Sequence, residues 1–94
     1  PAIQRFRDAA SGDLPDLMLA EGVRLVAEAL DAGLDVVEAA VSPRLTDTAL
    51  KARLQERART FLDCSDDVLA RLSALDTPQG VAVLLQRPRL EERA

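Results

Sequence analysis

Along this chain, apolar residues alternate between helical spacing and short unbroken runs, and glycine or proline stands at most of the changes. Ile3, Phe6 and Ala10 recur at three- and four-residue intervals, which predicts a short amphipathic helix at the N-terminal end. Gly12 and Pro15 end it, because glycine accepts the left-handed conformation after a helix and proline cannot continue one. Leu17 to Ala20 is then a continuous apolar run between that turn and Gly22, as expected of a buried strand. From Glu21 or Gly22 the period becomes helical: Val23, Leu25, Val26, Ala29 and Leu30 gather on one broad face, opposite Arg24, Glu28 and Asp31, and Gly33 closes the helix. Val36 to Val41 predicts a second strand, bounded by Ser42-Pro43.

The second half repeats the alternation. Thr46 or Asp47 can cap a helix whose apolar stripe is Leu50, Leu54 and Ala58. Phe61 and Leu62 mark a short third strand. Ser65 is a good N-cap for a last helix, with Asp66 and Asp67 in the first turn where the helix dipole favours negative charge, and Val68, Leu69 and Leu72 on its buried side. Val81 to Leu85 is the fourth strand. Helix and strand thus alternate four times, the pattern of an α/β protein: a three-layer α/β/α sandwich around a four-stranded, mainly parallel or mixed sheet. Residues 1–85 form one domain in this reading, and the charged, proline-containing residues 86–94 begin a linker.

Composition narrows the chemistry. With 94 residues, 48% hydrophobic and 30% charged, the chain has the make-up of a single globular domain, and no apolar run approaches a membrane span. The lone Cys64 excludes an internal disulfide framework and, with no signal pattern at the N-terminus, points to the cytoplasm. The absence of histidine removes the commonest general base and metal ligand, and without histidine Cys64 has neither a base to activate it nor partners for a zinc site. Phe6 and Phe61 are the only aromatics, so any nucleic-acid contact must be polar rather than stacked. A net charge of −4 argues against strong non-specific phosphate binding but leaves room for a local basic patch.

Several residues can carry such contacts, each beside a plainer structural explanation. A helix that starts at Glu21-Gly22 presents free N–H groups at the C-terminal edge of a strand, where Gly22 lets a phosphate or ribose approach; equally, Gly22 serves a tight turn and Glu21 the helix dipole. Arg24 can reach a phosphate from the same helix or pair with Glu28 four residues on. Arg5 and Arg7 flank Phe6 as half of a basic patch or as a solvated helix face. Lys51, Arg53, Arg57 and Arg59 border the Leu50 stripe as snorkelling side chains do. Arg44 lies in a loop, where function concentrates. Thr77-Pro78-Gln79-Gly80 has the proline and glycine of a β-turn, which accounts for Pro78 and Gly80 but not Gln79, whose amide can both give and accept hydrogen bonds to a ribose or base edge. Asp66-Asp67 and Glu91-Glu92 read as helix capping and charged linker rather than acid/base pairs.

Taken in order, Leu17-Met18-Leu19-Ala20-Glu21-Gly22, Leu25, Ala29-Leu30, Gly33, Val41, Val68-Leu69, Leu72-Ser73 and Thr77-Pro78-Gln79-Gly80-Val81 resemble the N-terminal substrate-binding domain of SpoU-type (TrmH) RNA ribose 2′-O-methyltransferases. The resemblance implies a sandwich similar to ribosomal proteins that bind kinked RNA. It also implies a C-terminal catalytic domain, absent here, that binds S-adenosylmethionine, dimerises and methylates a ribose 2′-hydroxyl in ribosomal or transfer RNA. On this reading the chain is the RNA-recognition part of an enzyme, holds no catalytic or cofactor-binding residue, and contacts RNA through Arg5, Arg7, Glu21, Gly22, Arg24, Arg44, Pro78, Gln79 and Gly80. The connection Ser11-Gly12-Asp13-Leu14-Pro15-Asp16 departs from the family, which is often basic there; its two aspartates would repel phosphate. The alternative is a protein-interaction or spacer domain that orients the methyltransferase domain without touching RNA.

Overall fold

A computed structural model describes residues 2–88, and the part of the expected linker from 89 onward lies outside them. The elements run α1 (Ala2–Ser11), β1 (Leu17–Glu21), α2 (Val23–Asp31), β2 (Val36–Val41), α3 (Thr48–Arg57), β3 (Thr60–Asp63), α4 (Asp66–Leu72) and β4 (Val81–Gln86). The expected alternation is present in full. Caps explain several boundaries: the Asp47 carboxylate accepts the Leu50 N–H at 3.0 Å, the Ser65 hydroxyl accepts the Val68 N–H at 3.1 Å, and α2 closes at Gly33 with the paired Leu34-to-Ala29 and Gly33-to-Leu30 bonds of a Schellman motif.

The four strands form one mixed sheet in the order β1-β4-β2-β3. The last strand is inserted between the first two, antiparallel to both, and only β2 and β3 run parallel. Helices cover both faces, which makes the sandwich three layers deep. On one face Val26, Ala29 and Leu30 of α2 and Leu50 and Leu54 of α3 pack on Val36, Ala39, Val41, Val81, Val83 and Leu85. On the other, Phe6 and Ala9 of α1 and Leu69 and Leu72 of α4 pack on Ala40, Ala82 and Leu84. Val81 to Leu85 are buried throughout because β4 has a helix layer above and below and a strand on each side. Each of the valine and leucine side chains removed from water contributes about 1.5–3 kcal/mol.

Four details depart from the expected pattern. Ala9, not Ala10, joins Phe6 in the core, and Leu25 is 52% exposed although it falls on the apolar arc of α2. Here α2 buries the Val26–Ala29–Leu30 stripe against the sheet, with Val23 and Ala27 partly buried beside it, and Leu25 lies outside that contact. Thr77 to Gly80 closes no Thr77-to-Gly80 backbone hydrogen bond and is bent, irregular chain rather than a regular β-turn. At the other end, β4 extends to Gln86, and the Gln86 and Arg87 N–H groups bond the Asp35 and Asp16 carbonyls, so the chain stays with the sheet two residues past the expected start of the linker.

β2 carries a bulge. Val36 pairs with Leu85 and Glu38 with Leu84, leaving Val37 as the extra residue. Val37 and Glu38 therefore both face the α1–α4 layer, where the Glu38 carboxylate, almost fully buried, meets the Arg5 guanidinium at 3.1 Å. No helix among the described residues is long and apolar enough to cross a membrane.

Candidate functional site

Three connections meet at one end of the sheet: β1 to α2, β2 to α3, and α4 to β4. Two glycines make the meeting possible. Gly22, buried at φ 93°, turns β1 directly into α2, and a Cβ there would stand 3.2 Å from the Gln79 Oε1. Gly80, at φ 88°, lies against the backbone of the β2–α3 loop so closely that a Cβ would stand 2.4 Å from the Leu45 nitrogen and 2.9 Å from the Arg44 carbonyl carbon. The Gly80 carbonyl accepts the Ser42 N–H at 2.9 Å, and the Gly22 N–H donates to Val81 at 3.4 Å. These contacts lock the loops to one another.

Gln79 has a defined orientation. Gly22 has no side chain with which to cap α2, and the Gln79 Oε1 accepts the Val23 N–H at 3.0 Å in its place. Because Val23 offers a donor, the carbonyl must face the helix, and the Gln79 NH2 is the group left toward solvent. The backbone N–H of Arg44 donates to the Asp66 carboxylate at 3.1 Å, while the Arg44 guanidinium is exposed and meets no acceptor among the described residues. The Ser42 hydroxyl beside Asp66 and the Arg44 N–H together hold the Asp66 carboxyl below its ordinary value. Ser42 itself is buried, and its Oγ forms no hydrogen bond of standard geometry among the described residues. Pro78 borders a cavity of about 190 Å³ together with Ser42, Arg44, Asp66 and Leu69.

Glu21 serves the frame of this end. Its carboxylate accepts the Ser73 hydroxyl and, at 2.7 Å, the Ala74 N–H, tying β1 to the chain that leaves α4. Arg24 is 93% exposed and its pairing with Glu28 is loose at 3.7 Å, so the guanidinium is free to reach outward. Arg5 and Arg7 stand apart from the loop end, on α1 in the opposite layer from α2: Arg5 on Glu38, Arg7 with its Nε donating to the Arg71 carbonyl at 3.3 Å. The nine residues expected to contact RNA thus divide into a loop-end group of seven and an α1 pair.

The basic residues of α3 and its end are engaged within the fold, three of them by carboxylates. Lys51 pairs with Asp63 at 3.4 Å, Arg53 with Asp31 at 2.8 Å and Arg59 with Asp35 at 3.8 Å, while Arg57 donates to the Leu34 carbonyl at 3.5 Å. Burial pushes the Cys64 thiol up from its ordinary value, reinforced by Asp63 and Asp66, which disfavours the thiolate. Among the described residues no three His, Cys, Asp or Glu side chains are grouped so as to hold a metal ion. The arrangement can bind and orient a polar ligand through an amide NH2 and mobile guanidinium groups. Sequence periodicity gives no sign that Ser42 and Asp66 position the Arg44 loop; the Ser42-Pro43 break after an apolar run is the one local signal.

Residues 4–83 match the family model described as the MRM3-like substrate binding domain. Among solved structures, an RNA 2′-O ribose methyltransferase is 28% identical over 99% of this chain and 36% of its own, with a TM-score of 0.68. An AdoMet-bound rRNA methyltransferase from Sinorhizobium meliloti is 23% identical over 94% of this chain and 34% of its own, with a TM-score of 0.71. The SpoU methyltransferase AviRb from Streptomyces viridochromogenes, also with AdoMet, is 18% identical over 93% of this chain and 35% of its own, with a TM-score of 0.68. This chain spans about a third of the length of the solved structures it resembles. No curated protein sequence matches it.

Proposed function

Because the chain belongs to the MRM3-like substrate binding domain family, we propose that it recognises folded ribosomal or transfer RNA for a SpoU-type ribose 2′-O-methyltransferase and delivers the target ribose to a catalytic domain in the rest of the full-length protein. S-adenosylmethionine supplies the methyl group and is held outside these residues, in a C-terminal domain that also forms the homodimer. This chain contributes binding and orientation in the cytoplasm, not bond chemistry.

The observation that carries this reading is the fixed Gln79 amide within the interlocked loop end. Its NH2, oriented by the Val23 N–H, is a ready donor to a ribose 2′-oxygen, a phosphate or a base carbonyl. Arg44 and Arg24 supply guanidinium forks for phosphate within the same loop-end group, and Gly22 and Gly80 let the loops that carry Gln79 and Arg44 pack closely. Pro78 shapes the cavity wall, and Glu21 holds the loops in register. Such a site reads RNA shape and backbone more than sequence.

Fluorescence anisotropy with a labelled, bulged stem-loop RNA tests it. Binding should be weak and weaken with salt, and Arg24→Ala with Arg44→Ala should flatten the salt slope by about 2. A double variant that binds with the unaltered slope would rule these arginines out. The net charge of −4 favours a second reading, a spacer that orients the catalytic domain; undetectable RNA binding at low salt would favour it.

A further inference from the structure

The two edges of the sheet are unlike. β3 ends in exposed Thr60 and Asp63 and carries no large apolar side chain that is exposed. β1 lies beside the exposed large apolar residues of the described chain, Leu25 at 52% and Leu75 at 44%, and both line one groove of about 490 Å³ with Met18 and Leu19 of the strand. The main chain of β1 is open there as well. The Arg87 N–H donates to the Asp16 carbonyl at 2.7 Å and the Gly22 N–H to the Val81 carbonyl at 3.4 Å, so in this antiparallel register Met18 and Ala20 turn their main-chain groups to β4 while Leu17, Leu19 and Glu21 turn theirs outward. Of the outward groups, the Leu17 N–H reaches the Leu14 carbonyl at 3.0 Å and the Leu17 carbonyl accepts from the Arg87 guanidinium at 3.4 Å. Those of Leu19 and Glu21 meet no partner among the described residues.

An open edge of this kind is a template for another strand. The spacing of its free groups fits the same strand reversed. An antiparallel copy of β1 centred on Ala20 sets Leu19 against the partner's Glu21 and Glu21 against the partner's Leu19. Each such pair exchanges two N–H···O bonds, so every main-chain group left open at Leu19 and Glu21 is satisfied on both strands. Two-fold pairing needs only one surface, present on both copies. Charge agrees with it. Glu21 at the end of β1 and Arg87 at its start both line the groove, and neither forms an ion pair among the described residues. Reversing the second strand brings the Arg87 end of each copy to the Glu21 end of the other. We propose that β1 is a self-association edge: two copies of this domain join their four-stranded sheets through Leu19 and Glu21 and cover Leu25 and Leu75 at the seam. This contact is separate from the dimerisation assigned above to the C-terminal domain, and it does not rest on the RNA-recognition reading.

Sedimentation equilibrium of the 94-residue chain should give a mass that rises with concentration from 10.2 kDa toward twice that value. Amide hydrogen exchange, followed residue by residue, supplies the signature of the edge. Met18 and Ala20 are bonded to β4 in the single chain, whereas Leu19 and Glu21 should become protected only as concentration rises. Leu25→Asp, at an exposed position, should weaken association about tenfold or more while its thermal melt stays that of the unaltered protein. A mass of 10.2 kDa maintained up to millimolar protein overturns the proposal, and so does a dimer in which the Leu19 and Glu21 amides exchange as fast as in the monomer. Protection of these two amides in a monomeric chain on adding the bulged stem-loop RNA would give the edge to RNA, and protection seen only in the full-length protein would give it to the rest of that chain. Either result excludes the second copy.

Discussion

The Gln79 side-chain carbonyl caps the backbone N–H of Val23, a residue 56 positions earlier in the chain, at 3.0 Å. A helix start left bare by Gly22 is completed by the loop that opens β4, so one residue serves both the stability of α2 and the display of an outward amide.

These two duties can be separated. Gln79→Ala should cost about 1 kcal/mol of stability, in the range of cap removals. Gln79→Glu keeps the acceptor and adds charge favourable to the helix dipole, so its urea midpoint should stay near that of the unaltered protein while RNA affinity drops. Equal destabilisation by both substitutions would show that Gln79 does not cap α2.

Gly80→Ala tests the contact between loops. The added methyl must enter the space of the Leu45 nitrogen, at a φ that side chains disfavour, and the loss should be about 1–3 kcal/mol, with displaced NMR signals from Ser42 to Leu45. Unchanged Leu45 amide signals would be incompatible with the close approach.

Arg5 and Arg44 should behave oppositely. Arg5→Ala leaves the Glu38 carboxylate buried without its partner and should destabilise by about 1–3 kcal/mol, discounted because Arg5 is itself half-exposed. Adding Glu38→Gln should recover part of the loss in thermal melts. Arg44→Ala should leave the melting temperature nearly unchanged but reduce RNA affinity, since its guanidinium bonds no acceptor among the described residues.

Asp66 sets an acid-side dependence. Its pKa is lowered in the folded protein, so the unfolded chain binds the proton more readily; the stabilisation is present above the ordinary value of 3.8 and lost as pH falls through the folded value. Urea unfolding of Asp66→Asn should therefore show a smaller fall in stability than the unaltered protein as pH drops below about 4. Parallel pH profiles would remove Asp66 from the account of acid sensitivity.

How much of this was readable from residues depends on the range of the interaction. Strand and helix identities were legible because Gly22, Gly33, Ser42-Pro43 and Ser65 punctuate locally, and Asp47 and Ser65 cap their own helices. The choice of Ala9 over Ala10 and the exposure of Leu25 were not, because they depend on where each helix sits over a four-stranded sheet. The burial of Glu38 had no local signal either: its Arg5 partner comes from a helix 33 positions earlier and its orientation from a bulge. The loop-end residues could be singled out individually; that Gln79 points its carbonyl inward and Arg44 is held by Asp66 are long-range facts.

The insertion of β4 between β1 and β2 has a consequence for synthesis on the ribosome. Among the described residues β1 has no strand neighbour other than β4, so of these strands a nascent chain that has not yet extruded residues 81–86 can pair only β2 with β3. The first strand emerges early and waits, apolar and unpaired, for nearly the whole domain to follow. Arrest at residue 75 should leave Leu17 to Ala20 accessible to a chaperone or protease, and release past residue 86 should close the sheet in one cooperative step.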